Sequence, residues 1–251
     1  MNQPEKFEDV LQQMPLLSHL VELRKRLIQI TILVFTLFLM LLPFANWLYE
    51  GLSKPLRAQL PLNTTMIATD VTSTFMAPFE LNFFVAVIIA MPFILYQLWG
   101  FIAPALYKNE KRIAVPLILS SFILFYIGIA FAYFITLPTI LTFFIKTSPM
   151  SVLLMTDINS YLDFCLKLFF VFGVTFEIPV ATLILILTGL ITTQSLSEKR
   201  RYIIVGCFAI AMFLTPPDAL SMAMLAIPMW LLFELGLYLA KKIEQRSMKK
   251  L

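Results

Sequence analysis

Four acidic side chains in this sequence stand where an acid needs an explanation. Glu177 lies in FGVTFEIPV at 172–180, deep in an apolar run. An ionisable group inside a membrane span is expensive and marks a functional position by default. Pro179 follows two residues later. A proline removes a backbone donor and can bend its helix toward a cavity. Two readings stay open: a polar, water-accessible recess inside a bundle, or a protonated carboxyl bonded to a neighbouring helix. Glu22 sits in SHLVELRKRL at 18–27, one helical turn before Arg26. Spacing alone reads it as a surface ion pair. Glu110, within YKNEKR at 107–112, is equally explained as loop solvation. Asp218 follows Pro216 and Pro217 and reads as an N-cap.

Other titratable groups have local explanations. Asp163 and Lys167 are spaced for an i,i+4 pair, and Glu80 and Glu234 lie near segment ends, as interface anchors do. His19 is the single histidine, so no zinc or nucleophile–base signature can form around it. No glycine-rich phosphate loop is present. The sequence therefore calls for no metal, no cofactor and no enzymatic chemistry. Cys165 and Cys207 both lie in apolar runs, which argues against a disulfide framework.

The elements that must hold these groups are membrane helices. The chain is 60% hydrophobic and 14% charged, with a mean hydropathy of +0.87. A soluble core of 251 residues has no use for that much apolar surface. Six uniformly apolar segments are expected as spans, at about 27–48, 81–106, 113–134, 162–187, 202–214 and 220–240. Uniform runs point to α-helices, since barrel strands alternate apolar and polar residues. The fifth span is short because Pro216 and Pro217 stop it, and Glu234 interrupts the sixth. An amphipathic lead-in helix at 16–26 is expected on the inner membrane surface, and a disordered charged tail at 242–251. Two longer connections, near 49–77 and 135–161, read as ordered caps.

Basic residues orient the chain. All Lys and Arg except Lys54, Arg57, Lys146 and Lys167 fall in four clusters: the N-terminal region to Arg26, 108–112, 199–201 and 241–250. Such clusters stay on the cytoplasmic side. The expected fold is all-α, a single polytopic membrane domain over 1–251 with six transmembrane helices, a concave face and both termini cytoplasmic. The isoelectric point near 9.0 then reflects topology, with no nucleic acid implied.

Seven motifs carry a resemblance: SHLVELRKRL at 18–27, MIATDVTSTF at 66–75, LYQLWGFIAPALYKNEKR at 95–112, FYIGIAFAYF at 125–134, FGVTFEIPV at 172–180, LTPPD at 214–218 and LAIPMWLLFELG at 225–236. Together and in this order they resemble the TatC family, the polytopic subunit of the twin-arginine protein translocase. The resemblance implies a receptor for signal peptides bearing consecutive arginines. It implies export of folded proteins across the bacterial cytoplasmic (inner) membrane, driven by the proton-motive force. Implied partners are single-span subunits of the TatA and TatB type, twin-arginine signal peptides, membrane lipid and further copies of the chain. Glu22 and Glu110 match the family's arginine-binding acids. Arg24, Phe101 and Pro104 match positions tied to recognition, and Glu177 and Asp218 match its intramembrane and transport acids. Met212 and Met222 fall at partner-helix docking positions. Two departures stand out: Asn109 replaces a common histidine, and Met222 replaces a residue that is often polar.

The implied chemistry is sound. Two carboxylates can each take one guanidinium bidentately, a geometry that lysine lacks. The competing reading is an ion-coupled small-solute transporter with Glu177 as proton relay. Such transporters usually carry repeated halves with paired broken helices, and this sequence shows no repeat.

Overall fold

The computed structural model describes residues 4–57, 66–70, 72–102, 111–147, 156–187, 189, 191–214 and 219–248. Ten α-helices run through them: α1 (Pro4–Leu41), α2 (Ala45–Arg57), α3 (Ser73–Ile102), α4 (Lys111–Phe131), α5 (Leu137–Thr147), α6 (Ile158–Phe176), α7 (Ile178–Leu187), α8 (Thr193–Glu198), α9 (Arg200–Leu214) and α10 (Ala219–Met248). A 3₁₀ turn at Leu42–Phe44 and a π turn at Ala132–Thr136 join neighbouring helices. Among the described residues there is no strand, only a parallel bridge between Ile67 and Asp157.

Among the described residues, five segments are long and apolar enough to cross a membrane: Leu20–Lys54, Ser73–Phe101, Pro116–Thr147, Ile158–Leu187 and Met222–Lys242. The remaining expected span, the fifth in chain order, coincides with α9, which has 15 residues. That is about 22 Å of helix against a hydrocarbon core of about 30 Å. α9 covers the segment expected as the short fifth span.

Several boundaries differ from the sequence reading. The lead-in expected at 16–26 is not a separate element, because α1 runs unbroken from Pro4 to Leu41. The physical reason is plain: residues 16–41 contain neither glycine nor proline, so nothing breaks the helix where the polar stretch meets the apolar one. At 38 residues α1 is about 57 Å long, far beyond one crossing. The tail expected to be disordered is helical through Met248. Its hold is visible: Thr193 Oγ1 donates to Glu244 Oε2 at 2.8 Å, and Lys241 Nζ donates to Ser197 Oγ at 3.2 Å. The second and third spans also exceed expectation. α3 begins at Ser73, and the third span continues through the π turn into α5.

The helices pack in a row. α1 lies on α3, α3 and α4 pack on α6, and α7 and α9 both pack on α10. Without a hydrophobic drive between helices in lipid, small residues must let backbones approach. Gly128 of α4 does this: a Cβ there would lie 2.6 Å from the Phe172 carbonyl oxygen of α6. Ala77, Ala86, Ala132 and Ala211 are fully buried for the same reason. Polar ties sit at helix ends. Asn82 Nδ2 donates to Phe38 O at 2.9 Å, just before Pro43 ends the first helix. The buried Tyr161 hydroxyl donates to Leu52 O at 2.9 Å.

One end of the bundle carries a clasp between the two long connections. Ile67 N–H donates to Thr156 O at 3.1 Å, and Ile158 N–H donates to Ile67 O at 2.9 Å. Asp157, the N-cap of α6, accepts from Ser160 N–H at 2.9 Å. Its other oxygen accepts from Thr69 Oγ1 at 2.7 Å and Thr69 N–H at 3.1 Å. The Thr69 hydroxyl, with the backbone N–H groups of Ser160 and Thr69, holds the Asp157 carboxyl well below the usual carboxylate range.

Candidate functional site

At the opposite end from the clasp, α1 and the last turns of α3 build a charged cluster. Glu22 and Arg26 face each other one turn apart on α1. Arg26 Nη2 lies 2.5 Å and Nε 3.1 Å from Glu22 Oε1. The rest of the guanidinium reaches α3, where Nη1 donates to Gln97 O at 2.9 Å and Gln97 Oε1 at 3.0 Å. Gln97 Nε2 in turn donates to Gln29 Oε1 at 2.9 Å. Arginine suits this seat because its planar fork can serve two acceptors on different elements at once. Gly100 leaves the room, since a Cβ there would lie 2.5 Å from Arg26 Nη1. The Glu22 side chain is 41% exposed and that of Arg26 20%. The ion pair expected from spacing therefore exists, and it is also docked onto a second helix.

Arg24 is exposed beside this pair and, with Leu20, Leu23, Leu27, Ile28, Thr31 and Ile32, lines a shallow apolar groove on α1. Phe101 is half-buried, in the last turn of α3. Pro104 and Glu110 lie outside the described residues, as does Asp218. Glu22 and Phe101 thus belong to two helices that pack together, α1 and α3. Met212 is exposed on α9, and Met222 is half-buried on α10, packed against the main core.

Glu177 occupies the single-residue turn between α6 and α7. Its N–H donates to Val174 O at 3.0 Å, and its carbonyl accepts from Ala181 N–H at 2.9 Å. The fourth span is therefore interrupted for one residue at Glu177, two positions before Pro179. The carboxyl is half-buried and meets two other helices in sequence. Ser121 Oγ of α4 donates to Glu177 Oε2, and Trp99 Nε1 of α3 donates to Ser121 Oγ at 3.3 Å. Glu177 Oε1 is buried without a partner among the described residues. The bond to a neighbouring helix expected under one reading is present.

Sequence reasoning passed over Gln97, Ser121 and Trp99, and it read Arg26 only as a local partner. Each is a polar or amphipathic group inside or beside an apolar run, which was the available signal. The clasp acid Asp157 falls in a connection that the sequence marks only as an ordered cap. Arg200 also pairs with Glu234 across α9 and α10 at 2.8 Å, so Glu234 ties two helices together.

Residues 18–228 match the family model described as Sec-independent protein translocase protein (TatC). The chain belongs to the TatC family. It is 53% identical over 236 residues to the Sec-independent protein translocase protein TatC of Azotobacter chroococcum mcd 1, covering 94% of this chain and 92% of that protein. It is 52% identical over 227 residues to the protein of the same name from Escherichia coli (strain K12), covering 90% and 88%. A crystal structure of a Twin Arginine Translocase Receptor, TatC, superposes with a TM-score of 0.79 at 37% identity, covering 89% of this chain and 98% of that one. A second, in DDM, gives a TM-score of 0.81 at 37% identity, covering 88% and 99%. TatC membership makes this chain a multi-pass membrane protein and a component of a protein translocase. It sets the small-solute transporter reading aside.

Proposed function

We propose that this TatC-family chain is the signal-peptide receptor and core subunit of a twin-arginine translocase in a bacterial cytoplasmic membrane. It exports folded proteins, driven by the proton-motive force. The observation that carries the site is the placement of Glu22: an accessible carboxylate on α1, held against the end of α3 from which the segment with Pro104 and Glu110 departs. One guanidinium of the signal peptide binds Glu22 and the other Glu110. Arg24, Phe101 and Pro104 flank the pair. The apolar stretch behind the arginines then follows the exposed faces of the spans.

The remaining parts follow from exposure and charge. α9 is short and presents Tyr202, Val205, Phe208, Met212 and Phe213, so single-span partner helices of the TatA and TatB type dock there, with Met222 of α10 adjoining. Met222 offers a polarizable thioether where a polar contact would otherwise serve. Glu177 and Asp218 act after peptide binding. Both termini lie in the cytoplasm, a reading supported by the four basic clusters. The test is equilibrium binding of matched Arg-Arg and Lys-Lys signal peptides to the reconstituted chain. Glu22→Ala and Glu110→Ala each weaken Arg-Arg binding while insertion and assembly persist. Unchanged affinity in the double variant would reduce both residues to ordinary surface charges.

A further inference from the structure

We infer that Arg26 is an internal competitor for the carboxylate of Glu22, an occupant that an arriving signal-peptide arginine has to displace or share with. The inference rests on the reading of Glu22 as an arginine-binding residue and deepens it. Both Nε and Nη2 of Arg26 converge on Glu22 Oε1, so the carboxylate already holds a guanidinium of the kind its ligand would bring. Arg26 is not a loose surface charge. Nη1 is fixed on the Gln97 carbonyl and side chain, 71 positions away, and Gly100 opens the seat. The guanidinium therefore stays beside Glu22 when a second cation approaches. Two like charges at one carboxylate repel, and the arriving cation gains less than it would at an unoccupied acid.

The consequence has a sign that a purely structural role lacks. Loss of a structural prop weakens ligand binding or leaves it unchanged. Loss of a competitor strengthens binding, and by a similar factor for every cation, because each meets the same fixed charge at the carboxylate. The competitor then serves to hold weak cationic sequences below a useful affinity, while a peptide with two forked arginines still binds.

The experiment uses the full chain in lipid nanodiscs and fluorescent signal peptides carrying Arg-Arg or Lys-Lys, with Kd read by anisotropy. For Arg26→Gln, both Kd values are expected to fall about three- to tenfold. Arg26→Lys keeps a charge but not the fork onto Gln97, and both values are expected to fall by less. Glu22→Ala runs in parallel. If Glu22→Ala weakens Arg-Arg binding while Arg26→Gln binds no more tightly than the unaltered chain, the competitor role is overturned and Arg26 is a structural tie. If Glu22→Ala leaves affinity unchanged, the site assignment itself fails. Should Arg26→Gln not assemble, the Arg26→Lys result decides: tighter binding supports the role and equal or weaker binding overturns it.

Discussion

Glu177 sits at the helix break, yet the structure makes Ser121 the more critical of the two for stability. Ser121 is fully buried, donates to Glu177 Oε2 and accepts from Trp99 Nε1. Ser121→Ala removes both bonds at once. A buried polar group left without its partner costs about 1–3 kcal/mol. Trp99 is 8% exposed and would bear close to the full cost for its indole N–H, whereas the half-buried Glu177 carboxyl can turn or take up a proton. The total for Ser121→Ala is about 2–4 kcal/mol, enough to lower a detergent melting midpoint by roughly 5 °C or more. Glu177→Gln keeps an oxygen to accept from Ser121 and should cost about 1 kcal/mol or less. In Glu177→Leu the serine hydroxyl can turn to a backbone carbonyl one turn back on α4, so this loss is also modest. Thermal unfolding of the three variants, with peptide binding and cargo export measured separately, tests the ordering. The expected result is Ser121→Ala least stable, with Glu177→Leu folded, binding peptide and failing in export. Glu177→Leu melting below Ser121→Ala would mean that the carboxylate holds the serine in place, and the reasoning would be reversed. Full export by Glu177→Leu would leave Glu177 as a tolerated polar group.

Three further outcomes can be checked. Gly128→Ala puts a Cβ 2.6 Å from the Phe172 carbonyl and should cost about 1–3 kcal/mol by prising α4 from α6; Gly51→Ala in α2, with nothing within 4 Å, should be neutral or slightly stabilising in the same melt. The Asp157 carboxyl is held below its ordinary value, so the stability it contributes is present above about pH 3.9 and is lost as pH falls through the lower folded value. Wild-type protein should therefore lose clasp protection from proteolysis below about pH 4, and Asp157→Asn should show no loss from this source over the same range. For topology, cysteines placed at Asn63 and Asn159 should label from outside intact cells and one at Asn109 should not; outside labelling at Asn109 would refute two cytoplasmic termini.

The span pattern was legible because it depends on local composition. Long apolar runs, Pro216-Pro217 and Pro179 are read directly from the chain, and the short α9 and the broken fourth span follow from them. The continuity of α1 was missed because a change from polar to apolar residues was taken for a change of element, although no breaker lies between. Long-range side-chain pairs were not legible at all. Arg26 with Gln97, Ser121 with Glu177 and Thr69 with Asp157 are separated by 71, 56 and 88 positions. Which polar residues meet across helices is set by docking angle and depth, and apolar periodicity constrains neither.

The positions of those pairs bear on mechanism. Lipid offers no partner for a polar group, so polar groups within the spans gain by pairing inside the protein. Ties within the set α1 to α6 include Asn82 of α3 to Phe38 of α1, Arg26 of α1 to Gln97 of α3 and Tyr161 of α6 to Leu52 of α2. Those among α7 to α10 include Arg200 to Glu234, Thr193 to Glu244 and Lys241 to Ser197, and Gly236 packs its Cα against Pro179. Between the two sets runs a seam that is otherwise described by apolar packing, with Cys207, Ala211, Leu225 and Met229 in one core with residues of α6. The Ser121–Glu177 bond joins α4 to the junction of α6 and α7. Apolar surfaces slide and repack at modest cost, whereas a hydrogen bond fixes one register. A carboxyl held between α4 and the end of α6, apart from Glu22 on α1, is expected to leave peptide binding unchanged when it is replaced.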